Sequence, residues 1–363
     1  MNFNRVISLA TVLLLMFSVS SCSEKTDSLV NKEALKSSTT DPSKIVGTFG
    51  DETISAAELK FYYYMEKSRM ELEAGVSAQS VEEKKKFWET KVGDEDKKQK
   101  LMDNAFNNIT ELKVLLMNAK KDKVNLDQAD LENIEYNINQ FIQEKGKSDK
   151  AQAEKLMNEM YGVSIDEYRN IYGDYILAYN KYASTETAKI KISDSDIKKR
   201  FEADKDQFKK VKVKHILIYT TDVNTNELLS EDKVAANKAL AKDILKKAQA
   251  GEDFEALVEK YSQDSVSKQK KGDYTFAKDE TNAELAKWAF SAKSGDIGLI
   301  EAPYGIHIVK FVENIEASLG DQEKTTITTY LQNERFDKIV QEMKAKYELV
   351  KVLENIEPLG LLE

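Results

Sequence analysis

Three residue types are scarce in this sequence of 363 residues, which contains one cysteine, two histidines and three prolines. A single cysteine cannot form a disulfide bond within the chain. One cysteine and two histidines are also too few for a zinc finger or for a three-histidine catalytic zinc site. The acidic residues do not follow the spacing of a calcium-binding loop. We therefore expect neither a metal ion nor another cofactor.

Positive charge is also in deficit, because 54 lysines and arginines stand against 63 aspartates and glutamates, which gives a net charge of −9. A general nucleic-acid-binding protein needs a basic face to neutralise phosphates, so we expect no nucleic-acid partner. An apolar fraction of 41% and a charged fraction of 32% are typical of a soluble globular protein. At roughly 100 to 200 residues per domain, the length predicts two or three domains.

The first two dozen residues have the pattern of a targeting segment. Residues 1–5 carry one positive charge and residues 6–19 form an uncharged apolar run, which is short for a membrane span. Together they predict a secretory signal peptide over residues 1–21. The small residues V-S-S-C before and at Cys22 resemble the lipobox of bacterial lipoproteins, in which this cysteine becomes the lipidated first residue. Plain secretion is the alternative. Two acyl chains give stable anchoring, and the polar residues 22–43 then predict a flexible tether.

Residues 44–207 predict a helical domain. A glycine-centred pair of β-prone stretches at 45–54 is typical of a hairpin, and the S-x-x-E spacing at Ser55 and Ser164 is typical of helix starts. Four consecutive aromatic residues at 61–64 cannot all face inward on one helix, so part of this surface is exposed or covered by another segment. Apolar residues recur at helical spacing in three stripes: Met102, Ala105, Phe106, Ile109, Leu112 and Leu116; Leu131, Ile134, Ile138, Phe141 and Ile142; and Tyr168, Ile171, Tyr172, Tyr175 and Tyr179.

The spacing of apolar residues changes at residue 211 from a helical to a strand-like pattern. Alternating charged and apolar residues at 211–219 predict a strand. Two helical stretches are expected at about 231–250 and 254–261, followed by a second strand, a short helix and a β-rich stretch at 303–311. The order β, α, α, β, α, β predicts a small α+β domain with an antiparallel sheet flanked by helices.

Five sequence blocks in this segment resemble the parvulin-type peptidyl-prolyl cis-trans isomerases. K-H-I-L-I at 214–218 is similar to the opening strand of the family, and A-G-E-D-F and S-Q-D-S, which begin at 250 and 262, are similar to its A-G-x-D-F and S-x-D-S blocks. G-D at 272–273 corresponds to the G-G-D-L-G turn, and Y-G-I-H-I-V-K, which begins at 304, to the closing strand.

The resemblance implies three catalytic residues. His215 and His307, the two histidines of the chain, occupy the two family positions, which implies that they lie on neighbouring strands and hydrogen-bond at the floor of the site. Their implied role is to fix each other's tautomer and hold a polar network. Asp264 stands where the family has Cys or Asp beside the twisting amide. Capping a helix at Ser265 is a structural role for the same carboxylate and is compatible with the first.

The proline pocket departs from the family pattern. The family's pocket Phe falls on Leu285 and its pocket Met on Thr281, and Phe276, Tyr304 and Phe290 complete the expected substrate pocket. Leucine offers less ring surface than phenylalanine, and threonine removes most of the contact surface that a thioether supplies. These changes predict weak isomerase activity.

The loop at 220–232 contains acids and neither lysine nor arginine. Parvulins that select phosphorylated Ser-Pro or Thr-Pro segments place a basic cluster in the corresponding loop, where it pairs with phosphate. The sequence therefore predicts that this protein does not select phosphorylated substrates.

A trailing amphipathic helix is predicted within residues 315–363. Its apolar positions recur at intervals of three and four and need a partner surface: Phe336, Ile339, Val340, Met343 and Tyr347. The layout resembles that of the PrsA-type foldases, and this resemblance implies that the helix returns to residues 44–207 and completes the helical domain, with residues 208–314 inserted between. A free amphipathic helix that lies on the membrane is one alternative. Pairing of the helix between two chains, in a homodimer, is another.

The complete layout resembles the PrsA-type foldase lipoproteins, which combine a SurA-like chaperone domain with a parvulin domain. The resemblance implies an α+β protein lipid-anchored through Cys22 to the outer face of the cell membrane of a Gram-positive bacterium. It implies binding of unfolded, newly exported polypeptides and non-covalent isomerisation of their X-Pro bonds. A holdase chaperone with a degenerate parvulin domain is one alternative, and a purely structural envelope lipoprotein is another.

Overall fold

The computed structural model describes residues 44–92, 95–223, 225 and 227–361. The predicted signal peptide, the tether and Cys22 lie outside these residues. The chain divides into two compact units, here called the helical unit (residues up to Lys191 together with Tyr330–Glu363) and the sheet unit (Ile192–Thr329). Among the described residues, no helix combines the length and the apolar character that a membrane crossing requires.

The divisions between the units differ from the boundaries placed on the sequence at 207/208 and 314/315. The first falls before the helix Asp194–Ala203. The second falls within the long helix Asp321–Lys344, whose first residues belong to the sheet unit and whose remainder belongs to the helical unit. Helical periodicity continues across this second division, so the sequence pattern offers no signal for it.

The elements follow in chain order. The first part of the helical unit contains β1 (Ile45–Phe49), β2 (Glu52–Ser55), α1 (Ala56–Glu73), α2 (Val81–Glu89), β3 (Lys91–Val92), β4 (Glu95–Asp96), α3 (Lys97–Lys121), α4 (Gln128–Glu144), α5 (Lys150–Tyr161), α6 (Ile165–Tyr175), a π-helical segment (Ile176–Ala183) and α7 (Ser184–Lys189). Next come α8 (Asp194–Ala203), a 3₁₀ turn (Lys205–Phe208), β5 (Lys210–Tyr219), α9 (Glu231–Gln249), α10 (Phe254–Tyr261), α11 (Ser265–Gln269), β6 (Asp273–Ala277), α12 (Ala283–Ala289), β7 (Ile297–Ala302) and β8 (Gly305–Ile315). The chain ends with α13 (Asp321–Lys344), β9 (Leu349–Lys351), α14 (Leu353–Ile356) and a 3₁₀ turn (Glu357–Leu359).

The hairpin and the helix starts predicted for the helical unit are confirmed. Strands β1 and β2 pair antiparallel. Ser55 caps α1 in a capping box, in which its hydroxyl accepts from the Glu58 amide while the Glu58 carboxylate accepts from the Ser55 amide. Ser164 and Glu167 form the same box at α6. Each box satisfies amides that the first helical turn leaves without an intrahelical partner.

The aromatic run at 61–64 is covered by a distant part of the same chain. Phe61, Tyr62 and Tyr63 are at most 4% exposed, and the hydroxyl of Tyr63 donates to the carbonyl of Leu361. Tyr64 is half-buried against the same core, so burial by other segments accounts for most of the run.

The end of the chain completes the helical unit. Strand β9 pairs antiparallel with β1, which gives a three-stranded sheet in the order β2-β1-β9. Phe336 and Val340 of α13 are buried in the same core as the helices near the start of the chain. Part of the predicted apolar stripe thus packs within its own chain, whereas Ile339 and Tyr347 remain 38% exposed.

The sheet unit is built on four antiparallel strands in the order β6-β5-β8-β7. One face, with Ile216, Ile218, Ile306 and Ile308, packs against α9 and α10. The other face packs against α12 through the buried residues Val211, Val213, Phe276, Leu285, Ala289, Ile300, Val309 and Phe311. The predicted α+β class, a helical domain with a small antiparallel sheet domain inserted, is confirmed.

Candidate active site

The two histidines lie side by side on the α12 face of the sheet. In the antiparallel register His215 of β5 is opposite Val309 and His307 of β8 is opposite Leu217, so the two imidazoles are diagonal neighbours. Their Nδ1 atoms are 3.3 Å apart and their rings are nearly parallel, at 13°. Because one Nδ1 must donate and the other accept, the two rings hold different protonation states at this atom. The neighbouring position implied by the family resemblance is confirmed.

Asp264 joins the pair from the start of the short helix α11. Its Oδ1 accepts from the amide of Val266 at 3.1 Å and its Oδ2 from the amide of Ser267 at 3.3 Å, so the predicted helix cap is confirmed. The same Oδ2 lies 3.3 Å from Nε2 of His215. This is an ion-pair distance for a protonated imidazole, although the two groups are not aligned as a hydrogen bond.

The two residues before Asp264 hold it against the sheet. Ser262 Oγ accepts from the amide of Leu217 at 3.3 Å, and the amide of Gln263 donates to the Leu217 carbonyl at 2.9 Å. The side chain of Gln263 accepts from the amide of Tyr219 at 2.7 Å. Residues 262–263 are therefore hydrogen-bonded to the end of β5, and this holds the Asp264 carboxylate beside His215.

The electrostatics of the site favour a charged carboxylate and a neutral His307. The imidazole of His215, followed by the Ser267 and Val266 contacts, holds the pKa of Asp264 well below its usual value against the opposing effect of burial. Burial, reinforced by His215 and opposed by Asp264, lowers the pKa of His307 from 6.5 to about 4. His307 is 2% exposed and its Nε2 has no hydrogen-bond partner among the described residues.

A glycine is required beside His215. The amide of His215 donates to the carbonyl of Gly272 at 2.9 Å. Gly272 has a φ of +86°, and a Cβ there would lie 2.7 Å from Val258 Cγ2 and 3.2 Å from the carbonyl oxygen of His215. Both the left-handed conformation and the close approach exclude a side chain, which is the physical reason for the G-D turn.

Tyr274 is a site residue that was not predicted from the sequence. Its ring stacks on His215 with centroids 5.2 Å apart and leans on Phe276 at 4.8 Å. Tyr274 lies opposite Val213 in the register of β6 and β5, on the face that carries the histidines. Its position two residues before Phe276 in an alternating strand was the available signal, but that pattern is equally typical of core.

The predicted pocket residues divide into exposed and buried groups. Tyr304 is 40% exposed and stands edge-on to His307, with centroids 5.6 Å apart and an interplanar angle of 82°. Leu285 and Phe276 are at most 1% exposed, so they support the site from the core and offer almost no free surface to a proline ring. Phe290 is half-buried against the same core, and Thr281 is half-buried one residue before the cap of α12.

Comparison with known proteins finds one matching family model and several similar proteins. Residues 197–315 match the family model described as the PPIC-type PPIase domain. The chain is 29% identical over 252 residues to a foldase protein PrsA of Caldanaerobacter subterraneus subsp. tengcongensis, which covers 69% of this chain and 68% of that relative. A foldase protein PrsA of Clostridium kluyveri is 23% identical over 375 residues, covering 98% of this chain and 99% of the relative. The crystal structure of a foldase protein PrsA from Streptococcus pneumoniae aligns over 66% of this chain and 80% of its own at 22% identity, with a TM-score of 0.36.

The matched domain makes this protein a parvulin-type peptidyl-prolyl cis-trans isomerase. The resemblance to the PrsA-type foldases that the sequence blocks predicted is confirmed by these relatives.

The low pKa of His307 predicts that acid destabilises the sheet unit. An unfolded histidine binds its proton near pH 6.5, whereas His307 does so near 4, so between these values the unfolded state holds more protons and stability falls as pH falls. The expected loss from this group is at most about 3 kcal/mol between pH 7 and pH 4.

The two tryptophans allow this loss to be measured in the sheet unit. Trp288 lies in the sheet unit and Trp88 in the helical unit. Denaturant unfolding of a Trp88→Phe chain, followed by Trp288 fluorescence at pH 7, 6, 5 and 4, reports the slope. Adding His307→Asn should flatten it between pH 6.5 and 4, and an unchanged slope would show that other groups cause the acid sensitivity.

Proposed function

We propose that this protein is an extracytoplasmic, lipid-anchored foldase that binds unfolded exported polypeptides and isomerises their X-Pro bonds at His215, Asp264 and His307. The comparisons above support the isomerase and foldase classes. The observation that carries the assignment of the site is the contact chain from Asp264 through His215 to His307, with successive separations of 3.3 Å.

The proposed chemistry needs no covalent intermediate. The barrier to X-Pro isomerisation is roughly 20 kcal/mol because the planar amide loses resonance as it twists. The buried histidine pair excludes water from the floor of the site, and the rigid carboxylate of Asp264 lies where the twisting amide passes. Binding the twisted amide more tightly than either planar form lowers the barrier. The rings of Tyr304 and Tyr274 supply the apolar walls that Leu285 and Phe276 do not expose.

A holdase without significant isomerase activity is the second candidate. The burial of Leu285, which is 0% exposed, favours it, because the proline ring then lacks one wall of the family's pocket. A holdase would suppress aggregation of unfolded chains without accelerating proline-limited folding. The two candidates therefore differ in a single measurable rate.

We expect Asp264→Ala to lower kcat/KM for a proline-limited refolding reaction at least about tenfold, because a fixed charge beside the reacting amide is lost. The same change removes a helix cap, which costs about 1 kcal/mol of stability. The measurement is the refolding rate of a test protein limited by a trans-to-cis proline, with catalytic amounts of the purified chain.

Asp264→Asn is the matched control, because asparagine caps helices as well as aspartate does but carries no charge. Equal loss in both variants assigns the effect to the carboxylate. Loss only in Asp264→Ala assigns it to the cap. No acceleration by the wild-type chain would remove the isomerase half of the proposal at this site and leave the holdase.

The remaining parts of the proposal rest on the sequence. The V-S-S-C motif supports an acyl anchor at Cys22 and therefore a position on the outer face of the membrane. A homodimer stays a prediction. In the helical unit Phe336 and Val340 are occupied by the core, and Ile339 and Tyr347 are each 38% exposed.

A further inference from the structure

The helical unit contains an open cavity of about 410 Å³ between α3, the end of α13, β1 and β9. This volume lies within the usual range of ligand-binding clefts. Phe49 and Phe106 form its floor, and Tyr347 and Leu349 form an apolar wall. The name "β9 groove" is used for this cavity below.

The apolar wall of the β9 groove is fixed by the turn between β1 and β2. The ring of Tyr347 rests on Gly50, where a Cβ would lie 2.7 Å from Tyr347 Cδ1. The rings of Tyr347 and Phe49 are 5.6 Å apart. Tyr347 nevertheless remains 38% exposed, so a rigid apolar surface is available to a bound side chain.

One side of β9 is free for strand pairing in the described part of the chain. The carbonyl of Glu348 accepts from the amide of Gly50, directly after β1, and the amide of Val352 donates to the carbonyl of Val46 in β1. Gly47 of β1 would place a Cβ 2.8 Å from the carbonyl oxygen of Val350. Peptide groups alternate in direction along a strand, so those of Leu349 and Lys351 point away from β1. Strand β9 is also the edge of its sheet, and such edges accept an additional strand from a bound peptide.

The charges of the groove favour an acidic ligand. Lys351 is already held, because its ammonium pairs with Asp103 at 2.8 Å and lies 4.8 Å above the Phe106 ring. Lys344 Nζ donates to the carbonyl and the Oδ1 of Asn107, at 3.1 and 2.6 Å. An ammonium has three donors, and no carboxylate of the described residues lies within ion-pair distance of Lys344.

The environment of Lys344 also favours an acidic ligand. Burial lowers the pKa of Lys344, and Glu111 opposes that effect only from a distance. Glu111 is itself bonded by the Tyr179 hydroxyl at 3.2 Å. A half-buried ammonium bonded only to neutral groups gains most from an incoming carboxylate.

We propose that the β9 groove binds an extended segment of a client polypeptide that pairs with β9, places an apolar side chain against Tyr347 and Leu349, and presents an acidic side chain to Lys344. This inference rests on the proposed foldase function and adds a location and a sequence preference to client binding. The preferred client segment is one in which a glutamate or aspartate stands next to bulky apolar residues, with no proline required.

The test uses fluorescein-labelled peptides without proline, so the isomerase site has no substrate. The probes are acetyl-Gly-Leu-Glu-Leu-Gly-amide, its Gln analogue and a version N-methylated at alternate amides, each titrated with the full chain by fluorescence anisotropy. We expect the Glu peptide to bind about tenfold more tightly than the Gln peptide, as a charged hydrogen bond implies. N-methylation should abolish measurable binding, because it removes the donors that pair with β9.

Lys344→Gln should remove the preference for Glu and leave the affinity for the Gln peptide unchanged. Lys338→Gln is the matched control, since Lys338 lies on the same helix, pairs with Glu334 and does not line the groove. Thermal unfolding of each variant establishes that it is folded. Equal affinity of wild-type chain for the Glu and Gln peptides, or a preference that survives Lys344→Gln, overturns the proposal.

Two further results would show that the groove is occupied by the chain's own tether or by a second copy of the chain, and not by a client. Tighter peptide binding after deletion of residues 23–43 would assign the groove to the chain's own tether, and a dimer that dissociates on Lys344→Gln would assign it to a second copy. Either result overturns a client segment as the resting occupant. Suppression of the aggregation of reduced lysozyme is measured in parallel. If suppression persists while the peptides fail, only this inference fails, and if both are absent the foldase proposal fails as well.

Discussion

Replacing Lys113 with methionine will lower the free energy of unfolding of the helical unit by about 3–5 kcal/mol. Lys113 Nζ lies 2.6 Å from Glu58 Oε1, and both side chains are 10% exposed. Methionine fills a similar volume but leaves a buried carboxylate without its cation. Breaking a buried pair in this way costs far more than replacing both partners with neutral groups.

A second carboxylate makes the loss of Lys113 depend on pH. Burial, and then the nearby Glu58, raise the pKa of Asp174 from 3.8 to about 6, while Lys113 opposes the rise. Between those pH values the folded state holds more protons at Asp174 than the unfolded state, so its contribution to stability grows as pH falls. Protonation of Asp174 also removes one repulsive neighbour of Glu58. The cost of Lys113→Met should therefore shrink when the pH is lowered from 7 to 5.

The measurement is denaturant unfolding of a Trp288→Phe chain, in which the fluorescence of Trp88 reports the helical unit. Trp88 is buried there and donates to Glu71 at 2.9 Å. The double variant Glu58→Gln, Lys113→Met is the control, because glutamine keeps the capping box with Ser55 while no charge remains at the pair. Equal losses in the single and double variants would show that the charge left on Glu58 is not the cause.

This pair illustrates which parts of the fold the sequence could predict. Capping boxes are local, so the spacing of Ser55 and Glu58 was sufficient to place the start of α1. The partner of Glu58 is 55 positions away and was not predictable from spacing or periodicity. Strand β9 was not predicted for the same reason: it has only three residues, and its partner β1 is distant in sequence, near the other end of the chain.

The active site also has features that the sequence could predict and features that it could not. The two histidines and Asp264 were predicted because they lie in sequence blocks of the parvulin family, and the structure brings them together. Which of the predicted pocket side chains are exposed was not predictable, because their burial depends on packing between α12 and the sheet. Leu285 was predicted as a pocket wall and is a core residue, whereas Tyr274 was not predicted at the site and stacks on His215.

Truncating Phe276 to alanine will lower the free energy of unfolding of the sheet unit by about 3–5 kcal/mol. Phe276 is 1% exposed and shares a core with Val211, Leu285 and Phe311. Removal of the ring leaves a cavity. It also removes the surface against which the Tyr274 ring packs, with the two ring centroids 4.8 Å apart. Because Tyr274 stacks on His215, the histidine pair loses support on one side.

The expected signature is a loss of activity beyond the loss of stability. Trp288 fluorescence in a Trp88→Phe chain gives the free energy of unfolding, and refolding catalysis is then compared at a temperature where the variant stays folded. Phe276→Leu, which keeps most of the volume, should cost less than about 1.5 kcal/mol, and Val266→Ala, at an exposed position, less than about 0.5 kcal/mol. Full activity in a folded Phe276→Ala chain would mean that the histidine pair keeps its geometry without the aromatic support. Reduced activity with Phe276→Leu unaffected would place Phe276 and Tyr274 together as positioning residues of the isomerase site.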